Sequence, residues 1–278
     1  MLKVGDEMTS IEVYNDLIKQ YDQLTLEEKN AILIYKSQLY NIINAMSSIP
    51  NFLNIDENEL LNQLDKDYLI NLFEKYKKTV FLNKNITTRY TIFFNIDFTN
   101  ILTCMRSLKE VYRTLMQAKG KIKLKDKLTV YRGVNLDTPS NPTTLSRGEI
   151  ISSGLKLEDA FTFLLHKKYN HLYVIEIEAG TNVLVTHYAL IITYPPNENH
   201  ILNQLNNKEP DVLKVMKLGS IVQEEVILFQ SDLAITETLS TIKYLEDDNT
   251  PINVHYVYAV PKQLDKEVIK ECGSYVQF

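Results

Sequence analysis

Three short strand-like segments carry polar side chains that an apolar strand keeps only for a reason. In "LTVYRGV", Arg132 lies among Leu128, Val130, Tyr131 and Val134. A strand alternates its faces, so Arg132 shares one with Val130 and Val134. If that face is buried the guanidinium needs an anion, and Gly133 beside it would let a ligand approach the backbone closely. On an edge strand the same arginine would serve a surface ion pair instead. In "EIISSGL", Ser152 and Ser153 end a short apolar run ahead of a helical pattern, a place where hydroxyls commonly cap. In "IVQEEVIL", alternation sets Gln223 and Glu225 on one face with Ile221 and Ile227, and Glu224 on the other with Val222, Val226 and Leu228. One carboxylate must then approach the core, where such a group is kept with a partner or a catalytic task. A half-exposed edge strand would accommodate it as well.

The elements that would position these residues fall into a helical first part and a strand-rich second part. "TLEE" at Thr25 to Glu28 has the form of a capping box. It opens a run in which Ala31, Ile32, Tyr35, Leu39, Ile42, Ile43 and Met46 recur at helical spacing before Pro50. A second helix is expected after "NIDENEL", where Leu60, Leu61, Leu64, Tyr68, Leu69, Leu72, Phe73 and Tyr76 repeat the pattern. A third is expected from Phe98 to Ala118, with Gly120 as its stop. From about residue 125 the runs "KLTVYRGV", "HLYVIEIEAGTNVLV", "IVQEEVILF" and "NVHYVYAV" read as strands rich in Val, Ile and Tyr. "LKLEDAFTFLLHKKY" has helical spacing, and residues 190–220, Asn-rich and containing Pro195 and Pro196, read as an elaborated loop. Helices first and strands later is the order of an α+β domain. A single domain over residues 1–278 is expected, helical over 1–120 and mainly β over 121–278.

Composition narrows the function classes. With 45% hydrophobic residues the chain can bury a substantial core, and 30 Lys plus Arg against 35 Asp plus Glu leave a net charge of −5. No basic field is available to hold a phosphate backbone, so nucleic acid is not the expected partner. The start "MLKVGDEMTS" lacks a signal-peptide pattern and no apolar run reaches the length of a membrane span. A soluble protein without a membrane span is expected, cytoplasmic or exported by a specialised route. Cys104 and Cys272 have no ligand-like neighbours. His166 and His171 straddle the end of a helical pattern, and His187, His200 and His255 stand apart, so no metal is expected. Neither a dinucleotide-binding glycine fingerprint nor a phosphate-binding P-loop motif occurs.

Taken in order, a basic residue on one strand, a hydroxyl on a second and a Gln-x-Glu pair on a third resemble the Arg-Ser-Glu signature of mono-ADP-ribosyltransferases. "YRG" is similar to the arginine strand of that family. "SSGL", with Ala160 five residues after Leu155, resembles its Ser-Thr-Ser-Leu segment, and "YVIEIEAGTNVLV" its following strand and glycine turn. "QEEVIL" resembles its Glu/Gln-x-Glu-Val-Leu-Leu strand. "LTLEEKNAILIYKSQLYNIINAM" is similar to a helix of the bacterial exotoxin and exoenzyme branch.

The resemblance implies NAD, used as a substrate, in a cleft between two small, roughly perpendicular, mainly antiparallel sheets, with the N-terminal helical region packed against them. It implies that Arg132, with Gly133, holds the phosphates, that Ser152 and Ser153 belong to the NAD site, and that Ser152 is also catalytic, hydrogen-bonding toward the catalytic glutamate. Glu225 would be the catalytic acid at the nicotinamide-side ribose, Phe161 an aromatic over the nicotinamide, and Gln223 the residue facing the acceptor. The implied reaction moves ADP-ribose to a protein side chain other than arginine, with an asparagine-like acceptor favoured by the amide of Gln223. The same residues would serve an NAD glycohydrolase, and a catalytically silent module of the same fold is the reading from another class. Two positions depart from the family pattern: Gly154 replaces the third residue of the serine segment, and Ser48 in "INAMSS" stands where the exotoxin branch carries an arginine.

Overall fold

The computed structural model describes residues 7–82, 96–134, 145, 149–157, 160, 170–186, 225–244 and 251–262. They group into two compact units. One holds the helices from Leu24 to Ala118, and the other holds α1 (Glu7–Asp22) with the strands.

In the helical unit the capping box forms as expected. Thr25 accepts from the Glu28 amide at 3.2 Å, and the Glu28 carboxylate accepts from the Thr25 amide at 2.9 Å. Two orphan donors at the start of α2 (Leu26–Ile34) are thereby satisfied. The expected single helix is interrupted by a π-helical stretch, Tyr35–Leu39, before α3 (Tyr40–Ser47). The second expected helix is likewise two, α4 (Glu57–Gln63) and α5 (Lys66–Leu82). The break has a local cause: Asp65 accepts from the Tyr68 amide at 3.0 Å and restarts the helix. The helix α6 (Ile101–Lys119) begins where the Asn100 side chain accepts from the amides of Leu102 and Thr103, both at 3.0 Å. Ile32, Ile42, Ile43, Met46, Leu60, Leu69, Met105 and Leu108 are fully buried. Lys109 is also buried, and its ammonium donates to the Ile55 carbonyl and, at 3.1 Å, to Glu57. Burial raises the Glu57 pKa, but Lys109 and Arg106 outweigh it and hold the carboxyl below its ordinary value.

In the other unit seven strands join one sheet: β1 (Leu128–Val134), β2 (Ile150–Gly154), β3 (His171–Ile177), β4 (Leu184–Thr186), β5 (Glu225–Phe229), β6 (Leu233–Tyr244) and β7 (Pro251–Pro261). Their spatial order is β4-β5-β2-β1-β3-β7-β6. Hydrogen bonding therefore links the described strands continuously, where two separate sheets had been expected. The reason is β3, which pairs antiparallel with β1 on one side and parallel with β7 on the other. One face of β3 is buried throughout, by His171, Tyr173, Ile175 and Ile177, while on the other Leu172 is buried, Val174 half-buried and Glu176 exposed. After β3 the chain turns at Gly180, whose φ of 89° lies in the left-handed region that favours glycine. That turn is held by the amides of Gly180 and Leu124, which donate to Leu124 and Thr181 carbonyls at 2.8 and 2.9 Å. The segments 190–220 and most of "LKLEDAFTFLLHKKY" lie outside the described residues.

Replacing Thr25 by Ala should destabilise the protein by about 1 kcal/mol through loss of the cap, with Thr25→Ser retaining most of it. Urea unfolding followed by circular dichroism would measure both.

Candidate functional site

The three segments singled out by their polar residues become neighbours, because β5, β2 and β1 are adjacent in the sheet. Gly154 of β2 stands opposite Tyr131 of β1 and, on its other side, opposite Glu225 of β5. Tyr131, Gly154 and Glu225 thus form one line across three strands. Arg132 and Gly133 follow Tyr131 along β1, and Ser152 is one pleat repeat from Gly154 along β2.

Arg132 is half-buried, and its guanidinium donates to the backbone carbonyl of Ser152. A planar fork with five N–H donors that bonds a strand carbonyl is oriented by that bond. The strand backbone therefore fixes the direction of a cationic group that sequence alone could assign to either a core or an edge.

The two serines have distinct positions. Both lie within β2, so neither begins a helix. Ser153 is buried, and its hydroxyl donates to the Val226 carbonyl of β5 at 2.7 Å. Ser152 is half-buried and stands opposite Ile227. Strand β5 itself is apolar after its first residue: Val226, Ile227, Leu228 and Phe229 are all buried. Each such side chain contributes roughly 1.5–3 kcal/mol by leaving water. Glu225 consequently occupies the head of a strand whose remaining residues are anchored in the core. Beyond its far end, the Gln230 amide donates to the Glu149 carbonyl at 2.8 Å and the Ser231 amide to the Glu149 carboxylate at 2.9 Å.

Two residues join the arrangement that the sequence did not single out. Tyr131, adjacent to Arg132, is half-buried and packs with Leu157, Val174 and Tyr256 over a core of Ala160, Leu172, Ile252 and Val254. Tyr173, fully buried, is paired with Arg132 across β1 and β3. The signal for both was cross-strand pairing, which becomes readable once the register is known. Gln223, Glu224 and Phe161 lie outside the described residues. In the helical unit, Ser48 ends α3 as its C-cap, with its hydroxyl donating to the Ala45 carbonyl at 2.7 Å. Among the described residues no group of three or more His, Cys, Asp or Glu could hold a metal ion, and no helix is long and apolar enough to cross a membrane.

No family model matches the chain and no curated protein is matched. Among solved structures, the chain overlaps Plx2a, an ADP-ribosyltransferase toxin from Paenibacillus larvae, at 15% identity, covering 91% of this chain and 96% of that one with a TM-score of 0.42. It overlaps C3stau2 from S. aureus with NAD at 14% identity, covering 91% and 95% with a TM-score of 0.43. An ADP-ribosylating toxin BECa of a binary enterotoxin of C. perfringens, with NADH, overlaps at 14% identity over 91% of this chain and 47% of that one, with a TM-score of 0.42. These are faint likenesses of the chain trace, and the reading of the site rests on the chain's own residues.

Replacing Ser153 by Ala removes a buried donor and leaves the Val226 carbonyl short of one partner, so stability should fall by about 1 kcal/mol. Chemical denaturation of the purified variant beside the wild type checks this.

Proposed function

We propose that the protein is an NAD-dependent mono-ADP-ribosyltransferase that moves ADP-ribose to a protein side chain other than arginine. One observation carries the reading: Arg132, Ser152 and Glu225, far apart in sequence, are brought onto three adjacent strands, with the Arg132 guanidinium bonded to the Ser152 carbonyl. Those residue types fit NAD. A half-buried guanidinium beside Gly133 suits a pyrophosphate, and a carboxylate at a fixed strand end suits the positive charge that develops at the ribose carbon.

In this reading Arg132 binds the phosphates and Gly133 allows their close approach. Ser152 supports the site from β2, while Ser153 contributes by fastening β2 to β5. Glu225 hydrogen-bonds the nicotinamide-side ribose and stabilises charge there as the glycosidic C–N bond breaks and its electron pair leaves with nicotinamide. The acceptor nitrogen forms the new bond to that carbon and gives up a proton. Gln223 orients the acceptor, since an amide matches an asparagine-like amide in donors and acceptors, and Phe161 covers the nicotinamide. A single catalytic domain carries the activity, with residues 190–220 on the side of the protein substrate.

Incubation with labelled NAD, alone and with cell lysate, should yield a labelled protein band with nicotinamide released. Free ADP-ribose with no labelled band would instead identify an NAD glycohydrolase, and no consumption of NAD a silent module. Glu225→Ala should lower NAD consumption by at least about a hundredfold while leaving thermal unfolding in place; unchanged turnover would overturn its catalytic role. Gln223→Glu should reduce transfer more than NAD hydrolysis, measured as labelled protein against free ADP-ribose.

A further inference from the structure

Two histidines that stand 84 residues apart in sequence meet in the sheet. His171 opens β3 and His255 lies on its parallel neighbour β7. His171 Nδ1 and His255 Nε2 are 2.8 Å apart. The ring planes differ by 7° and the centroids are 5.1 Å apart, so the imidazoles lie almost coplanar, end to end, with the nitrogens in contact. On its other side His255 Nδ1 is 2.8 Å from the Ser240 hydroxyl of β6. Both histidines are buried, at 6% and 7% exposure, which leaves little room for water to replace the contact between them, whereas Ser240 is exposed.

The surroundings are specific. Arg132 of β1, Tyr173 of β3, His255 of β7 and Ser240 of β6 fall in one cross-strand line. The Tyr173 ring faces His255 with centroids 4.7 Å apart. Among the described residues His255 contacts the Ser240 hydroxyl, the Tyr173 ring and the partner imidazole, and Arg132 is two strand spacings away, about 10 Å. Desolvation lowers the pKa of His171, and desolvation followed by the neighbouring His171 lowers that of His255.

We propose that the His171–His255 pair is an acid-sensitive fastener that holds β7, and through Ser240 the edge strand β6, to the β1–β3 part of the sheet. In the neutral pair one nitrogen at the contact donates and the other accepts. A first added proton keeps the contact as an imidazolium–imidazole pair but places a charge between apolar strands. A second leaves two N–H groups facing each other with no acceptor, and the fastening is lost. The unfolded chain binds these protons near the ordinary histidine value of about 6.5, whereas the folded sheet resists them. The pair is therefore neutral in both states above that value, and stability falls as pH drops below it toward the lower folded-state values.

The test replaces both rings by uncharged amides that reach similar positions, His171→Asn together with His255→Gln. Between about pH 7.5 and about pH 5, the unfolding equilibrium constant of the wild type should rise roughly tenfold or more beyond that of the double variant. The remaining histidines are common to both proteins and cancel. Hydrogen exchange of the wild type should show the β6 and β7 amides losing protection first, in step with ring protonation followed by nitrogen NMR. This second measurement decides the matter if the double variant fails to fold. Parallel stability curves for the two proteins would overturn the proposal, as would rings that take up protons while β6 keeps its protection. None of these readouts involves NAD, so their failure would leave the proposed activity untouched.

Discussion

Were β5 to slip by one residue along β2, Val226 would replace Glu225 opposite Gly154, and the acid would leave the line that contains Tyr131. Register is the constraint on which the site depends, and in β5 hydrophobicity sets it poorly. Val226 to Phe229 are buried without alternation, so either of two neighbouring registers would hide comparable apolar surface. Polar contacts remove the ambiguity. Ser153 donates to the Val226 carbonyl near the start of β5, and Glu149 receives the amides of Gln230 and Ser231 beyond its far end. Each is worth only about 1 kcal/mol, yet an alternative register would have to break all of them, the Ser153 bond within the core. Small terms decide here because the large ones are nearly equal.

The other side of the sheet meets a different problem. The pairing of β3 with β7 is parallel, and the face that carries His171 and His255 is otherwise lined by buried apolar residues such as Ile175, Ile177, Val257 and Ala259. Two imidazoles in that setting cost desolvation that their mutual hydrogen bond, with the Ser240 contact of His255, offsets. Because their contact is directional and one-to-one, it favours a single alignment of β7 on β3. Ser240 extends the same discrimination to β6, whose pairing with β7 contains an irregularity between Ile235 and Glu237.

What the sequence revealed followed the strength of its hydrophobic patterns. β1, β3, β5 and β7 were legible as Val, Ile and Tyr runs, and the Thr25 to Glu28 cap as a local motif. β6, at twelve residues the longest of the described strands, was missed because "LAITETLSTIKY" spends its polar side chains on an edge, leaving even Leu239 and Ile242 exposed. The interruptions at Tyr35–Leu39 and Asp65 were hidden because apolar spacing continued across them. Arg132, Ser152 and Glu225 could be named as types, but their adjacency is a property of strand order. The histidine pair was unreadable for the same reason, since spacing along the chain says nothing about residues that meet through a parallel crossover.

Gly154 and Ser48, the two departures from the resembled pattern, also differ in what the fold does with them. Ser48 closes α3 through the Ala45 carbonyl, a role that any short hydroxyl side chain fills. Gly154 sits at the centre of the line between Tyr131 and Glu225. A side chain at that position would occupy the space between two residues on flanking strands, whereas glycine leaves the backbone open to close approach.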